Sequence, residues 1–266
     1  MTCPKYSITI QTYVYRFDSY FKHLLARICR ERPDVEKVIY VNGQHNEPFS
    51  EEYRKSMMKL VSHFPNTFLV MSPFMRGCSH MWNTCINYTS HDYILVLSDD
   101  TIHLDGFFDE FETMLAYHHH TTGGESFRIN SHWSHFCIYR KDVTDPNRVG
   151  YFDERLIGFG EEDGDWMLRF DQKMGKHMKN YATEFLKFNS DDNYLPGKNT
   201  KTWGGTKYSA FNKEFMYEQK WTEDKERINP TSLVTLSCVP YKLSDGMETP
   251  NMYPGETWYR ENIDKL

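Results

Sequence analysis

The sequence lacks the features that would assign the protein to a membrane or to nucleic acid. No apolar run reaches the roughly 18 residues of a membrane span, and the opening Met-Thr-Cys-Pro-Lys has no apolar signal core. Lys and Arg form no long run, the net charge is −6 and the pI is near 6.1. This pattern predicts a soluble, cytoplasmic protein that does not bind nucleic acid.

Closely spaced cysteine pairs are also missing. The six cysteines are dispersed and include no C-x-x-C pair, so the sequence favours neither a zinc ribbon nor a dense disulfide framework. Reduced and mostly buried thiols in a reducing compartment are therefore expected. The cysteines are Cys3, Cys29, Cys78, Cys85, Cys137 and Cys238.

Glycine is missing where two common nucleotide-binding loops require it. The turn after the first predicted strand, Gln11 to Asp18, contains no glycine, which disfavours a Rossmann site for NAD or FAD. No G-x-x-x-x-G-K-[ST] sequence occurs, which excludes a P-loop. A nucleotide bound by this chain would therefore need a metal ion to neutralise its phosphates.

Predicted strands and helices alternate along the first half of the chain, which is typical of a mostly parallel α/β sheet flanked by helices. Apolar residues recur at helical spacing from Phe21 to Ile28, and Ser50 is a good N-cap for the next helix. With 266 residues, the chain fits one large domain with an appended segment. The strands are predicted at residues 6–15, 35–41, 67–71, 93–97 and 135–140.

One strand ends in acids. Tyr93-Ile-Leu-Val-Leu97 is an unbroken apolar run, which predicts a strand buried on both faces, and Ser98, Asp99 and Asp100 follow it. The carboxyl ends of strands in an α/β sheet are where ligands bind, so the two carboxylates are candidate metal or substrate ligands. From this stretch alone, capping of a turn or of the helix near Gly106 is an equal alternative.

A second acidic cluster lies in Gly158-Phe-Gly-Glu-Glu-Asp-Gly-Asp-Trp166 and opens a predicted helix. Acids at a helix N-terminus are stabilised by its free N–H groups and its dipole. Capping needs only one acid, and this cluster has four. The excess predicts that at least one of them binds a ligand.

Three consecutive histidines, His118 to His120, end a predicted helix. They could form a metal-binding tract, but consecutive residues of a helix do not share a face. Stabilisation of the helix C-terminus is the favoured interpretation.

In motif order, residues 6 to 188 resemble the GT-A glycosyltransferases, in particular the inverting kind typified by family 2 and by the β-1,4-galactosyltransferases. Ser98-Asp99-Asp100 stands where that family has its D-x-D motif. Gly150-Tyr-Phe-Asp-Glu154, followed by Glu161-Glu-Asp-Gly-Asp-Trp166 and Arg169, resembles the family's paired "G-x-F-D-E" and "E-D-x-D-W-x-x-R" motifs. Ser7-Ile-Thr-Ile-Gln-Thr-Tyr13 resembles the strand that cups the nucleotide base.

The resemblance implies a role for each acid. Asp100 would bind Mn²⁺ or Mg²⁺ on the donor diphosphate, and Asp99 would hold the ribose or the donor sugar. Asp163 would be the general base that deprotonates the acceptor hydroxyl, and Glu162 would hydrogen-bond the acceptor. Other candidate donor contacts are Thr12, Tyr13, Asn42, Arg76, Asn83 and Ser98, and the candidate acceptor contacts are Trp133 and Trp203.

Two departures from the family pattern concern the metal. Ser98 replaces the first acid of the D-x-D motif, so the metal would have one carboxylate fewer. The family's later histidine ligand also has no counterpart in Phe188-Asn-Ser-Asp-Asp192. Asn189 or Asp191 could substitute for it, because both offer oxygen ligands.

The resemblance implies a GT-A-like catalytic domain over residues 1–192, with a donor half at 1–105 and an acceptor half at 106–192. Residues 193–266 would be an irregular extension packed on the same domain: a wrap over the sheet edge by preference, otherwise an acceptor-side flap or a homodimer contact. The expected function is metal-dependent transfer of a sugar, with inversion, from a nucleotide-sugar such as a UDP-sugar to a glycan hydroxyl. The alternatives are a sugar-phosphate nucleotidyltransferase and a non-catalytic carbohydrate-binding or assembly protein.

Overall fold

A central sheet of seven strands organises the part of the chain that the structure, a computed structural model, describes. The described residues are 1–43, 50–130, 135–145, 147–188, 205–221, 261–263 and 265. The strands are β1 Tyr6–Tyr13, β2 Glu36–Asn42, β3 Thr67–Met71, β4 Tyr93–Ser98, β5 Thr101–His103, β6 Phe127–Ile129, β7 Phe136–Tyr139, β8 Lys179–Tyr181 and β9 Leu186–Phe188.

Helices connect most of these strands. The α-helices are α1 Lys22–Glu31, α2 Glu51–Val61, α3 Cys78–Tyr88, α4 Phe107–Thr122, α5 Arg140–Thr144, α6 Glu162–Met174 and α7 Gly205–Glu214. Shorter helical segments are the 3₁₀ turn Val14–Arg16 and the π-helical segments Phe17–Phe21 and Phe215–Lys220. Within the described ranges, no helix combines the length and the apolarity needed to cross a membrane.

The sheet has the strand order β3-β2-β1-β4-β7-β6-β8. β1 pairs in parallel with both β2 and β4, and β2 pairs in parallel with β3. β7 is antiparallel to its neighbours β4 and β6, and β8 runs parallel to β6. β5 and β9 form a separate antiparallel pair. The predicted mostly parallel α/β sheet is therefore confirmed.

β4 is buried on both faces, as its apolar run predicts. Tyr93, Leu95 and Leu97 pack into a core with α1, α2 and α4, whereas Ile94 and Val96 pack into a second core with α3 and α6. None of these five side chains is more than 1% exposed. Each side of the sheet is thus covered by helices, and its strand ends are left to form a site.

The boundaries of the elements differ little from the sequence prediction. β1 ends at Tyr13 rather than at residue 15, because its last partner in β2 is Asn42 and the chain then turns into a 3₁₀ segment. The predicted N-cap of α2 is confirmed, since the Ser50 hydroxyl accepts a hydrogen bond from the Tyr53 N–H at 3.1 Å.

The histidines at the end of α4 have separate structural partners. His118 is 1% exposed, and its Nδ1 lies 3.1 Å from the Tyr181 hydroxyl. His119 lies 2.9 Å from the hydroxyl of Tyr93 through its Nδ1. These contacts favour the structural interpretation over a metal-binding tract.

Helix α7 packs against the loop that leads to α6. Tyr208 joins a small core with Ile157 and Met75, and the Asn212 amide bonds both the N–H and the carbonyl of Ile157 at 2.9 Å. Gly158 permits this approach, because a β-carbon there would lie 2.6 Å from Cγ of Tyr208. The proposed boundary at residues 192–193 lies outside the described residues and stays a prediction.

We expect Gly158→Ala to destabilise the protein by about 2 to 4 kcal/mol, through a positive φ of 64° and a collision with Tyr208. Gly175→Ala is the matched control: its φ is 65°, and in the described structure a β-carbon there meets no atom within 4 Å. It should cost only about 1 kcal/mol. Urea unfolding measures the free energy of unfolding of both variants. Equal losses of stability in Gly158→Ala and Gly175→Ala would contradict the close packing of α7 against Gly158.

Candidate functional site

The candidate site lies where three parallel strands end. In the sheet register, Gln11 of β1 pairs with Ser98 of β4, and Tyr13 pairs with Asn42 of β2. The residues that follow these positions therefore emerge at the same edge of the sheet. This is the edge at which α/β sheets bind their ligands.

Asp99 and Asp100 follow β4 at this edge and are almost completely buried, with 2% and 7% exposure. Between them lies the guanidinium group of Arg16, in the 3₁₀ turn after β1. Its Nη1 is 2.5 Å from Oδ1 of Asp99 and 3.5 Å from Oδ2 of Asp100. The guanidinium also stands 5.4 Å from the centre of the Tyr13 ring. Sequence reasoning missed Arg16, although it lies in the glycine-free turn.

The environment of Asp99 leaves its charge incompletely satisfied. Burial raises the pKa of Asp99 to about 6, with a further increase from Asp100, and Arg16 opposes both effects. The Thr12 hydroxyl approaches and lowers this pKa slightly, yet it makes no hydrogen bond of normal geometry. Within the described ranges, the Oδ2 atom of Asp99 is a buried acceptor without a hydrogen-bond partner, which is costly unless a ligand fills the position.

Ser98 supports Asp100 directly. Its hydroxyl donates a short hydrogen bond to Oδ1 of Asp100. At the position where the resembled family has its first acid, this chain therefore has a hydroxyl that orients the following carboxylate.

The described residues fit a Mn²⁺ or Mg²⁺ ion in part. Asp99 and Asp100 offer carboxylate oxygens, one of them unpartnered, and Mg²⁺ is often bound by one or two carboxylates together with substrate phosphates. No group of three His, Cys, Asp or Glu side chains suited to a metal occurs in the described ranges. The predicted further ligands, Asn189 and Asp191, lie outside the described residues, as do Trp133 and Trp203.

The second acidic pair opens α6. Glu162 and Asp163 are each 6% exposed. The preceding Glu161 has a φ of 74°, so the chain makes a sharp turn into the helix. Oδ1 of Asp163 accepts a hydrogen bond from the Gly164 N–H at 2.8 Å. Oδ2 of Asp163 and Oε2 of Glu162 are buried and have no hydrogen-bond partner among the residues that the structure describes.

The two acids of this pair differ in pKa. Burial, and then the charge of Asp163, raise the pKa of Glu162 to about 8. Burial raises the pKa of Asp163 to about 6, opposed by its backbone hydrogen bonds and the charge of Arg128. Both pKa values are raised, that of Glu162 the more, so near neutral pH the coupled pair favours a state with one proton, held more readily by Glu162 than by Asp163. An ionised carboxylate beside a protonated one suits a base and a hydrogen-bond donor.

Asp165, on the same helix, has a structural role. Its carboxylate lies 2.8 Å from Nζ of Lys220, 2.8 Å from Nε1 of Trp221 and 3.0 Å from Nε of Arg169. Lys220 is fully buried and also contacts Asp153 at 2.6 Å. Burial alone would raise the pKa of Asp165, but Lys220 and Arg169 outweigh it and lower the pKa to about 2.

Cys78, the first residue of α3, connects the two acidic pairs. Its thiol interacts with Glu162, and the charges of Asp163 and Arg16 also act on it. Its pKa is raised well above the usual value, mainly by burial and by Glu162. The Cys78 N–H also donates a hydrogen bond to the Gly158 carbonyl at 2.7 Å, so the start of α3 contacts the loop that leads to Glu162 and Asp163.

Two predicted donor contacts make hydrogen bonds within the protein. The Asn42 amide bonds the backbone N–H and carbonyl of Arg76, at 2.8 and 2.9 Å. The Asn83 amide bonds the backbone of Phe152 and a carboxylate oxygen of Glu154. These contacts give both residues a role in holding neighbouring loops. Asn42 and Asn83 stay predictions as donor contacts, as do Thr12, Tyr13 and Arg76.

Three solved structures share this architecture at low identity. The glucosyl-3-phosphoglycerate synthase from Mycobacterium tuberculosis, in complex with Mn²⁺, UDP and phosphoglyceric acid, has a TM-score of 0.56 and 10% identity, over 81% of this chain and 78% of that one. The mannosyltransferase PcManGT from Pyrobaculum calidifontis, in complex with GDP-Man and Mn²⁺, has a TM-score of 0.53 and 12% identity, over 68% and 56%. Residues 1–349 of S. aureus TarS have a TM-score of 0.50 and 12% identity, over 67% and 58%.

The chain has the GT-A fold. The fold predicted from the order of the motifs is therefore confirmed. The chain spans somewhat more than half of the length of the TarS fragment and of the mannosyltransferase. No protein-family model matches the sequence, and the comparison with curated proteins gives no match.

We expect Lys220→Met to destabilise the GT-A fold by about 3 to 5 kcal/mol at pH 7, because Asp153 and Asp165 would stay buried without their shared cation. In the wild type both acids have lowered pKa values, so their contribution is present above pH 4 or so and is lost as the pH falls toward about 2. In the variant, burial would raise the pKa values of Asp153 and Asp165. Both acids would then take up protons as the pH is lowered, and the loss of stability caused by two buried, unpaired negative charges should become smaller.

Urea unfolding of wild type and Lys220→Met at about pH 7 and about pH 5 checks this sign. The difference in unfolding free energy should shrink at the lower pH. Lys213→Met is the control, because Lys213 is 59% exposed and pairs with Glu161 only at 3.8 Å. A difference that grows as the pH falls would contradict the buried network.

Proposed function

We propose that this protein is a metal-dependent, inverting glycosyltransferase that moves a sugar from a nucleotide-sugar, with a UDP-sugar as the expected donor, to a hydroxyl group of a glycan acceptor. The observation that carries the proposal is the presence of two buried acidic pairs in a GT-A fold. Asp99 and Asp100 follow β4, and Glu162 and Asp163 open α6.

The donor would bind at the ends of β1 and β4. Asp100, oriented by Ser98, would hold Mn²⁺ or Mg²⁺ there. We add Asp99 to the metal site, beyond the ribose or donor-sugar contact that the resemblance implies, because its Oδ2 atom has no hydrogen-bond partner among the described residues. When bound, the metal supplies positive charge that offsets the charge developing on the leaving diphosphate. The solved mannosyltransferase and glucosyl-3-phosphoglycerate synthase contain Mn²⁺ together with a nucleotide or a nucleotide-sugar, which supports this assignment.

The acceptor would be activated by the pair at the start of α6. A sugar hydroxyl is a weak nucleophile, so a positioned base accelerates its attack. Ionised Asp163 would take the proton of the acceptor hydroxyl while the acceptor oxygen bonds the anomeric carbon. The bond from that carbon to the diphosphate oxygen breaks in the same step, which inverts the configuration. Protonated Glu162 would donate a hydrogen bond that orients the acceptor.

A nucleotidyltransferase is less well supported. Such an enzyme should have a glycine-rich, basic loop after the first strand. The corresponding segment, from Val14 to Phe21, is helical and contains no glycine.

Replacement of the base tests the mechanism. We expect Asp163→Asn to lower kcat/KM for sugar transfer on the order of a hundredfold or more, because the amide cannot accept the acceptor proton. A screen of UDP-sugars and GDP-sugars with Mn²⁺ identifies the donor, and release of the nucleoside diphosphate measures the rate. Asp171→Asn makes the same substitution further along α6, where Asp171 contacts His177, and should stay near the wild-type rate.

Near-normal transfer by Asp163→Asn would reject Asp163 as the base. Absence of UDP and Mn²⁺ binding in calorimetry would favour a non-catalytic carbohydrate-binding protein. Release of pyrophosphate from a nucleoside triphosphate and a sugar phosphate would instead identify a nucleotidyltransferase.

The pH dependence of kcat/KM should be bell-shaped. The rate should rise as Asp163 ionises near pH 6 and fall as Glu162 loses its proton near pH 8. Glu162→Gln keeps a hydrogen-bond donor that does not titrate, so it should remove the alkaline limb and leave the acidic limb. Initial rates from about pH 5 to about pH 9 check this, and an unchanged alkaline limb in Glu162→Gln would exclude Glu162 as its source.

A further inference from the structure

Arg16 is an unexpected cation at the donor end of the site. The residue lies in the 3₁₀ turn that directly follows β1, and its side chain is only 14% exposed. Its Nη1 is 2.5 Å from Asp99 and 3.5 Å from Asp100, so one guanidinium group contacts both carboxylates of the expected metal site. The ring of Tyr13 supports it from below at 5.4 Å.

A divalent ion would need the same carboxylates. Mn²⁺ or Mg²⁺ binds carboxylate oxygens at about 2.0 to 2.2 Å, which is closer than a guanidinium nitrogen approaches. Two cations that share one carboxylate pair repel each other at this separation, and burial weakens the screening by water. Oδ2 of Asp99, buried and without a hydrogen-bond partner, shows that Arg16 leaves part of the pair available to a ligand.

We propose that Arg16 is a resident counter-ion of Asp99 and Asp100 that competes with the divalent metal ion. The ion binds tightly only when the guanidinium group leaves the carboxylates. The inference rests on the proposed function, which supplies the metal and the diphosphate at this site. What it adds is that Arg16 and the metal compete for the same carboxylates.

A guanidinium group that leaves the carboxylates could bind the phosphates of the donor. A planar guanidinium binds phosphate oxygens as well as it binds carboxylates. A nucleoside diphosphate that arrives with the metal supplies this partner, so nucleotide and metal should each increase the affinity of the other. Arg16 would thus disfavour binding of the metal alone and favour binding of metal and donor together.

Mn²⁺ titrations followed by electron paramagnetic resonance test this without any transfer reaction. Arg16→Gln should bind Mn²⁺ alone at least tenfold more tightly than the wild type, because the competing charge is gone. Addition of UDP should increase the Mn²⁺ affinity of the wild type by more than that of the variant. Arg16→Lys, which keeps the positive charge, should stay much closer to the wild type than Arg16→Gln does.

Two controls separate this effect from general electrostatics. Arg54→Gln removes one positive charge from an exposed pair with Glu51 on α2 and should leave Mn²⁺ affinity unchanged. In Arg16→Gln combined with Asp100→Ala, the gain in Mn²⁺ affinity should disappear. If Arg16→Gln unfolds more easily, the increase in its melting temperature on addition of Mn²⁺ gives a second measurement, and it should exceed that of the wild type.

The inference is overturned if Arg16→Gln binds Mn²⁺ no more tightly than the wild type. A loss of Mn²⁺ binding in this variant would give Arg16 the opposite role, that of holding the carboxylates in place for the metal. Sugar transfer is measured separately from Mn²⁺ binding. Transfer that proceeds while Arg16→Gln shows no gain in Mn²⁺ affinity overturns the inference alone, whereas absence of both transfer and Mn²⁺ binding in the wild type overturns the proposed function.

Discussion

The parallel pairing of β1 with β2 and β4 is the constraint on which the rest of the structure depends. Parallel strands in register bring their ends to one edge, so Tyr13 pairs with Asn42 and Gln11 pairs with Ser98 although the chain separates these residues widely. The turn after β1 then delivers Arg16, and the turn after β4 delivers Asp99 and Asp100. Helices on both faces cover the apolar strands and leave this edge as the place for polar chemistry.

The chain uses its buried carboxylates in two ways. Asp153 and Asp165 share the buried amine of Lys220, so their charges are compensated and their pKa values are lowered. In the described part of the chain no cation contacts Glu162 or Asp163 in this way, and burial raises their pKa values. The compensated acids anchor the start of α6, and the uncompensated ones are left able to exchange a proton. Catalytic sites typically combine acids of these two kinds: paired acids that hold the structure rigid, and acids with raised pKa values that can exchange a proton.

Local sequence patterns predict much of the fold. They do not predict the contacts that the side chains of the candidate site make with residues distant in the sequence. The apolar run of β4 and the Ser50 cap of α2 are local signals, and both predictions are confirmed. The contact between Arg16 and Asp99 joins residues 83 positions apart, and only the sheet register brings them together. The same holds for Asn83: its amide bonds the backbone of Phe152, a distant partner that no motif specifies. Sequence pattern therefore locates acids at strand and helix ends, but their protonation and counter-ions depend on tertiary contacts.

The buried amine of Lys220 limits how far the protein can be truncated from its C-terminal side. The resemblance to sugar transferases ends near residue 188, which makes a truncated product ending there look sufficient. Such a product would remove the amine and the Trp221 indole from Asp165, and Tyr208 from its place over Gly158. The helix bearing Glu162 and Asp163 would then begin beside an Asp165 carboxylate that keeps Arg169 as its only cation among the contacts of the described residues. The smallest fragment that keeps this helix in place therefore has to extend through residue 221.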